Sequence, residues 1–145
     1  MKMEEILEKI RDGGSRVTKA RSGLIRVIGE ASRPLTVKEM RVKLRNMGIE
    51  TTKTTVYREM SFMMKNGLVK EVNLYPEEKR YESAYLAHHH HLVCERCGRV
   101  EGVGGCKLAE IEQEVYRKRG FRVTRHSLEF YGLCVECNQG VGLMT

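Results

Sequence analysis

The 145-residue sequence lacks any stretch of 18 or more apolar residues, the length that a helix needs to cross a bilayer. Its first residues, MKMEEILEKIRDGG, contain no apolar core of the kind found in secretory signals. We therefore expect a cytoplasmic protein with no membrane partner. Cysteines stay reduced in that compartment, so paired cysteines there favour metal binding over disulfide bonds.

Histidine is absent from residues 1–87, and no HExxH sequence occurs in the chain. Such a motif would place two metal ligands and a general base on one helix. A hydrolase that used the histidines and glutamates of the second half around an open metal position is therefore a minor alternative. We expect no enzymatic activity and no organic small-molecule substrate.

Positive charge is concentrated in the first part of the chain. Residues 1–85 carry 18 lysines and arginines against 12 acidic residues, whereas residues 86–145 carry 8 against 7. A basic half joined to a nearly neutral half suggests that the first half contacts a polyanion. Without further motifs, a solvated basic surface would explain the same pattern.

Apolar spacing in the first half predicts four short helices followed by a β-hairpin. Thr18 and Thr36 are placed to cap the second and third helices, and the third helix is expected to bury Met47. The fourth helix is predicted from about Thr54 to Asn66. The hairpin strands are predicted at Leu68–Tyr75 and Arg80–Leu86, on either side of a turn at residues 76–79.

Three helices and a two-stranded wing form a winged helix-turn-helix, whose recognition helix would be the fourth helix of this chain. Its non-core face carries hydroxyls, a phenol and a guanidinium, which suit contacts with phosphates and base edges. The residues of this face are Thr54, Thr55, Tyr57, Arg58, Ser61 and Lys65.

The second half mixes strands with one helix around a thin core, which a zinc site and a partner subunit would both stabilise. Strands are predicted at His88–Cys94, Arg99–Val103 and Phe121–Cys134. The helix Lys107–Arg119 is expected to turn Leu108, Ile111 and Val115 to one face, and residues 139–145 are expected to form a flexible tail.

Four cysteines form two CxxC pairs, Cys94 with Cys97 and Cys134 with Cys137. Two such pairs can surround one tetrahedral Zn²⁺ in a closed, structural site. A redox role for a CxxC pair is the less favoured alternative, because two pairs are present. The fifth cysteine, Cys106, is predicted to be a plain small residue without a role.

Four consecutive histidines precede the first cysteine pair and suggest a metal sensor. On a strand, His88 and His90 would share one face, while His89 and His91 would share the other. The run should therefore supply two metal sites, unless it is a cloned tag or a solvated polar segment. The further ligands that could complete these sites are Glu82, Glu101, Glu110, Glu112 and His126.

In combination, these motifs resemble the ferric uptake regulator family of bacterial and archaeal metal-responsive repressors. The matching stretches are residues 18–21, 55–58, 80–82, 88–99 and 126–137. The resemblance implies an α+β chain with a winged-helix domain (residues 1–83), a hinge (84–87) and a C-terminal α/β dimerisation domain (88–138) with a structural four-cysteine zinc site. It also implies a homodimer on a palindromic double-stranded DNA operator.

The resemblance also implies roles for individual residues. It assigns structural zinc to Cys94, Cys97, Cys134 and Cys137, regulatory metal to Glu82, His89 and His91, and a further metal site to His88, His90 and His126. It assigns DNA contacts to Thr55, Tyr57 and Arg58 on the recognition helix and to Arg16, Lys19 and Arg21 near the start of the second helix.

Three positions depart from the family pattern. The family usually takes another regulatory ligand from a histidine near the third helix, where this chain has Arg33-Pro34-Leu35. Two expected acidic positions fall on Gly102 and Ala109. Glu101 and Glu112 are the nearest substitutes, and they complete the predicted regulatory and further sites respectively.

The sequence thus predicts a metal-dependent, sequence-specific transcriptional repressor. Its cofactors would be structural Zn²⁺ and a second divalent metal, which could be Fe²⁺, Zn²⁺, Mn²⁺ or Ni²⁺, because all of these accept imidazole and carboxylate ligands. The alternative is a zinc-stabilised, constitutive DNA-binding regulator whose sensing site is degenerate.

Overall fold

The structure, a computed structural model, describes residues 2–139 as a mixture of helices and short sheets, which confirms the predicted α+β class. The chain divides into two units, with the boundary between Leu86 and Ala87. The predicted domain and hinge limits stay predictions, and residues 140–145 of the predicted tail lie outside the described residues. No helix in the described range is long and apolar enough to span a bilayer.

The N-terminal unit contains the four predicted helices and the hairpin. Its elements are α1 (Met3–Asp12), α2 (Lys19–Gly29), β1 (Leu35–Thr36), α3 (Val37–Asn46), α4 (Lys53–Lys65), β2 (Val69–Tyr75) and β3 (Glu78–Ser83). Sequence reasoning missed β1, because two residues are too few to show a strand period. This strand pairs antiparallel with β3, so the wing belongs to a three-stranded sheet in the order β1-β3-β2.

Side-chain caps determine where the helices begin. Thr18 Oγ1 accepts a hydrogen bond from the Arg21 backbone N–H, and Thr36 forms a reciprocal capping box with Glu39, so both predicted caps are confirmed. The cap of α4 is Thr52, whose Oγ1 accepts from the Thr55 N–H, and this helix therefore begins one residue before the predicted start.

The core of this unit lies among α2, α3 and α4. Its fully buried side chains include Leu24, Met40, Leu44, Val56, Met60 and Met63, each 0% exposed. The predicted burial of Met47 is wrong, because this side chain is 41% exposed. Met47 is the C-cap residue that follows α3, where the backbone leaves helical geometry and the buried stripe ends.

The C-terminal unit is built on a second three-stranded sheet. Its elements are β4 (His90–Cys94), β5 (Val100–Val103), α5 (Ala109–Arg119), β6 (Glu129–Gly132) and α6 (Val135–Asn138). Strand β4 lies in the centre, antiparallel to β5 and parallel to β6. The strand predicted over residues 121–134 is wrong outside β6, because β4 offers backbone partners only from His91 to Cys94 on that edge.

The C-terminal unit has few buried apolar side chains. Within its described residues these are Val93, Cys94 and Val100. Helix α5 buries no side chain completely, and Ile111, which was predicted to lie on its inward face, is 56% exposed. A core of this size contributes little hydrophobic stabilisation, so the unit needs additional restraints.

Candidate metal centres and nucleic-acid interface

The two cysteine pairs come together at one end of the C-terminal sheet. Cys94 is the last residue of β4, and Cys97 lies in the turn between β4 and β5. Cys134 directly precedes α6, and Cys137 lies within this helix. The positive φ of Gly98 and a hydrogen bond from its N–H to the Cys94 carbonyl close the first pair into a tight turn. The four sulfur atoms all lie within 4.8 Å of one another.

This geometry fits tetrahedral zinc. Zn–S bonds of about 2.3 Å would separate the sulfurs by about 3.8 Å, and Cys97 Sγ lies 3.7 Å from Cys134 Sγ. Backbone N–H groups of Cys134 and Cys97 lower the pKa of the Cys94 thiol to about 6, whereas burial raises the pKa of the Cys137 thiol to about 12. Zinc binding requires all four cysteines as thiolates, so it would release protons from this cluster.

The histidine run alternates in the way that the sequence predicts. The rings of His88 and His90 are 4.8 Å apart, and so are the rings of His89 and His91. His90 and His91 are each only 6% exposed, which is unusual for imidazoles in a solvated polar segment. Two adjacent histidine pairs on opposite faces are thus held at ligand spacing.

The His88/His90 pair belongs to a larger cluster of possible metal ligands, which also contains His126 and Cys106. His126 Nε2 lies 3.0 Å from His88 Nε2 and 3.3 Å from Cys106 Sγ. The sequence assigned no role to Cys106, whereas the structure places its sulfur among these possible ligands. The signal that could have identified it is a fifth cysteine left over from two complete pairs in a histidine-rich half.

Glu112 lies beside this cluster and contacts the other side of the His126 ring. Its Oε1 is 2.7 Å from His126 Nδ1, so this carboxylate orients the imidazole and leaves Nε2 directed at the cluster. Glu112 was predicted as a direct ligand, which stays a prediction; in the structure its carboxylate contacts His126 and is not part of the cluster. The other candidate on this helix, Glu110, is exposed and does not join the cluster.

The other histidine pair, His89 and His91, lies on the sheet face where Gly102 occupies the position of an expected carboxylate. His91 is paired with Gly102 across β4 and β5, whereas Glu101 is paired with the exposed Leu92. Cross-strand partners share a face of the sheet, so Glu101 points away from His91, and the structure does not bring it together with the histidine pair that it was predicted to complete. A Cβ atom at Gly102 would lie 3.4 Å from the Cδ2 atom of His89.

Glu82, the third predicted regulatory ligand, belongs to β3 in the N-terminal unit. Its side chain is only 2% exposed, and its Oε1 lies 3.0 Å from the ammonium of Lys70, the residue opposite it on β2. A buried carboxylate of this kind requires a charged partner. Its predicted partnership with His89 and His91 stays a prediction.

The candidate DNA-binding face of α4 lies opposite its buried side. Thr54, Tyr57 and Arg58 are exposed there, and Lys53 Nζ lies 5.8 Å from the centre of the Tyr57 ring. Thr55 is only half-buried, and it shares a hydroxyl hydrogen bond of 2.9 Å with Thr52 at the helix cap. The exposed face therefore combines hydroxyl, phenol and cationic groups on a rigidly packed helix.

The basic residues before α2 and in its first turn fall into two groups. Arg16 and Lys19 are exposed, as a phosphate contact requires. The Arg21 side chain is 13% exposed, and its Nε atom pairs with Glu59 Oε2 at 2.7 Å. The Arg21 guanidinium also lies 3.7 Å from the centre of the Phe62 ring, so this residue connects α2 to α4.

Comparisons with known proteins agree with this geometry. A sequence model described as the ferric uptake regulator family matches residues 12–131. The peroxide operon regulator of Bacillus subtilis (strain 168) is 30% identical over 141 residues, which cover 94% of each chain. The ferric uptake regulation protein of Campylobacter jejuni is 25% identical over 94% of this chain and 88% of its own length.

Solved structures match over nearly the whole chain. The Helicobacter pylori ferric uptake regulator Fur, described as having three functional metal binding sites, matches with a TM-score of 0.84 and 25% identity over 95% of each chain. The Vibrio cholerae regulator matches with a TM-score of 0.76 and 28% identity over 88% of this chain and 98% of its own. This chain therefore belongs to the ferric uptake regulator family of metal-responsive transcriptional regulators.

Proposed function

We propose that this chain is a metal-dependent, sequence-specific DNA-binding repressor that acts as a homodimer on a palindromic operator. The observation that carries the proposal is the segment from His88 to the end of strand β4, which has two histidine pairs on opposite faces at its start and the cysteine cluster at its end. One short strand thus connects a stabilising metal site to groups that can respond to a second metal.

Structural Zn²⁺ would be held by Cys94, Cys97, Cys134 and Cys137, whose sulfurs already stand at tetrahedral spacing. The regulatory ligands would be Glu82, His89 and His91. A bound divalent ion supplies a fixed coordination geometry that can join ligands from different segments. The metal ion would shift the chain towards the DNA-binding conformation only if these residues bind it more tightly in that conformation than in the others.

The DNA-binding surface would be the exposed face of α4 together with Arg16 and Lys19. Met60 and Met63 hold the other side of α4 in the core, so the residues on its exposed face keep a fixed orientation. Tyr57 and Arg58 can reach base edges or phosphates from that face. Phosphate contacts should make the affinity fall steeply with salt.

Dimerisation would occur through the C-terminal unit. Ile111, Tyr116 and Phe130 are between 49% and 60% exposed there, although the unit buries few apolar side chains. Apolar surface of this kind commonly marks a protein interface. A second copy of the same unit would cover it and would place two recognition helices against two half-sites.

The proposal can be tested by selecting binding sites from random DNA duplexes, with and without a second divalent metal. The zinc-loaded full-length chain should enrich an inverted repeat in the metal-containing selection, because each half-site would contact one α4 helix. Enrichment of single, unpaired half-sites would contradict the dimer, and the absence of any enriched sequence would contradict the DNA-binding role.

Replacement of Arg58 by alanine should weaken binding to the selected site. Loss of a base contact by this guanidinium is expected to cost about 1–3 kcal/mol and to relax the sequence preference at one position of each half-site. Fluorescence anisotropy with labelled duplexes would measure this. Arg119→Ala is the matched control, since it removes the same exposed charge from the last turn of α5. Equal effects of the two variants would argue against a contact by Arg58.

A second candidate function is a constitutive DNA-binding regulator with a degenerate sensing site. Two observations favour it, namely the absence of histidine from residues 1–87 and the glycine opposite His91. Metal content separates the candidates. After treatment with a mild chelator and addition of excess divalent metal, the sensor should hold one equivalent more per chain than its His89→Ala, His91→Ala variant, whereas the constitutive regulator should hold the same amount as that variant.

Gly102→Glu should strengthen metal binding at the His89/His91 face. The new side chain would leave β5 beside His89, where it supplies the missing carboxylate, and the dissociation constant should fall on the order of tenfold or more. Calorimetric titration of the zinc-loaded chain with Mn²⁺ would measure it. Gly102→Gln controls for size without charge, so similar binding by the two variants would argue against a metal at this face.

A further inference from the structure

Cys106 reaches the histidine cluster because the chain turns sharply after β5. The strand ends at Val103, and Gly105 adopts a positive φ of 74°, which glycine tolerates at low cost. Cys106 follows directly, three residues before α5 begins. This turn brings a sulfur atom from the helix side of the unit to within 3.3 Å of His126 Nε2.

The buried histidine of the cluster supplies a second, independent observation. His90 is 6% exposed, and its buried Nε2 atom has no hydrogen-bond partner among residues 2–139. Its ring lies 4.8 Å from the ring of His88 and 5.3 Å from the ring of His126. A buried ring nitrogen without a partner costs free energy, which a bound cation at this position would recover.

We propose that Cys106 is a thiolate ligand that completes a tetrahedral site with His88, His90 and His126. The inference rests on the proposed metal binding by these three histidines, and it changes the chemistry expected of the site. Four side chains close a tetrahedron, and one of them is a soft donor. The set thus favours Zn²⁺, or Co²⁺ as its spectroscopic substitute, over Mn²⁺, which prefers octahedral oxygen ligands.

The surrounding residues support this assignment over a carboxylate site. Ala109, where the family pattern places a carboxylate, has no side-chain ligand atom, and the carboxylate of Glu112 is engaged with His126 Nδ1. That hydrogen bond fixes the imidazole with Nε2 directed at the sulfur. A simple hydrogen bond between Cys106 and His126 is the competing explanation of the 3.3 Å contact, and it would leave His90 Nε2 without a partner.

Cobalt spectroscopy of the full-length, zinc-loaded chain can distinguish these explanations. Co²⁺ is titrated after elemental analysis has established one retained Zn²⁺ per chain. Wild type should develop a thiolate-to-cobalt charge-transfer band in the near ultraviolet and tetrahedral bands in the visible. Histidine and carboxylate sites elsewhere do not produce the charge-transfer band, so the signal reports a sulfur ligand outside the zinc-filled cysteine site.

Cys106→Ser should abolish the charge-transfer band and raise the dissociation constant at least tenfold, while the retained Zn²⁺ and the circular dichroism spectrum stay unchanged. Glu110→Gln is the control, because Glu110 is exposed on the same helix and lies outside the cluster, and this variant should keep the band. Identical cobalt spectra for wild type and Cys106→Ser would overturn the thiolate ligand and leave the three-histidine site intact. Failure of the wild-type chain to bind cobalt would overturn both the thiolate ligand and the three-histidine site. Displacement of Co²⁺ by equimolar Mn²⁺ would overturn the proposed selectivity.

Discussion

Replacement of Cys134 by serine is expected to release zinc and to unfold the C-terminal sheet, while the N-terminal unit keeps its structure. Binding of structural zinc contributes about 10–16 kcal/mol in small domains at neutral pH. The C-terminal unit has only three buried apolar side chains among its described residues, so its sheet has little else to stabilise it. Cys134 also donates its backbone N–H to the Cys94 sulfur, which connects the two pairs directly.

Amide hydrogen exchange followed by NMR would measure this effect separately in the two units. Protection should disappear from β4 and β6 and persist in α2, α3 and α4, whose core is independent of metal. Cys106→Ser provides the matched control, because it removes a cysteine of the same unit without touching the zinc pairs. Normal protection of β4 in a zinc-free Cys134→Ser variant would contradict the structural role of the metal.

Replacement of Glu59 by alanine is expected to destabilise the N-terminal unit by about 3 kcal/mol, near the lower end of the range of about 3–5 kcal/mol for breaking a buried ion pair. The side chains of Glu59 and Arg21 are 8% and 13% exposed, so the substitution would leave a mostly buried guanidinium without its carboxylate. The lower end applies here, because Arg21 retains the Phe62 ring and the Arg16 carbonyl, to which it donates at 2.7 Å.

Urea unfolding, with the midpoint compared at a constant m-value, would quantify the loss. Glu30→Ala is the matched control, since Glu30 pairs with Arg26 on the surface at the end of α2, with side chains 67% and 57% exposed. Such exposed pairs contribute about 0.3–0.5 kcal/mol. If the two variants lost equal stability, the Arg21–Glu59 pair would not be a buried link between α2 and α4.

The helices of the N-terminal unit could be predicted from the sequence, because their caps and apolar stripes depend on residues that are close together in the chain. Thr18 and Thr36 precede apolar stripes, and hydroxyl caps depend only on residues up to three positions away. The pairing of Arg21 with Glu59 could not be predicted in this way. Its partner Glu59 is 38 residues distant, and a polar residue on α4 gives no sign from its sequence position that a cation lies opposite it.

In the C-terminal unit the sequence predicted the alternation of the histidine side chains better than the extent of the strands. The two faces of the histidine run follow from strand alternation, which holds even though the regular strand begins only at His90. Cys106 and Glu112 could not be assigned in this way, because their roles depend on how the Gly105 turn and α5 place them around His126. The extent of β6 likewise depends on the length of its partner strand and not on its own residues.

Metal control of DNA binding is tested most directly by the affinity of the zinc-loaded full-length chain for its selected operator, with and without a saturating second divalent metal. Anisotropy titrations at fixed salt should give a dissociation constant about 5–150-fold lower with metal, corresponding to a coupling free energy of about 1–3 kcal/mol. The His89→Ala, His91→Ala variant should lose this difference and retain the metal-free affinity. Equal operator affinity of the wild-type chain with and without Fe²⁺, Mn²⁺, Ni²⁺ or added Zn²⁺ would contradict regulation by metal.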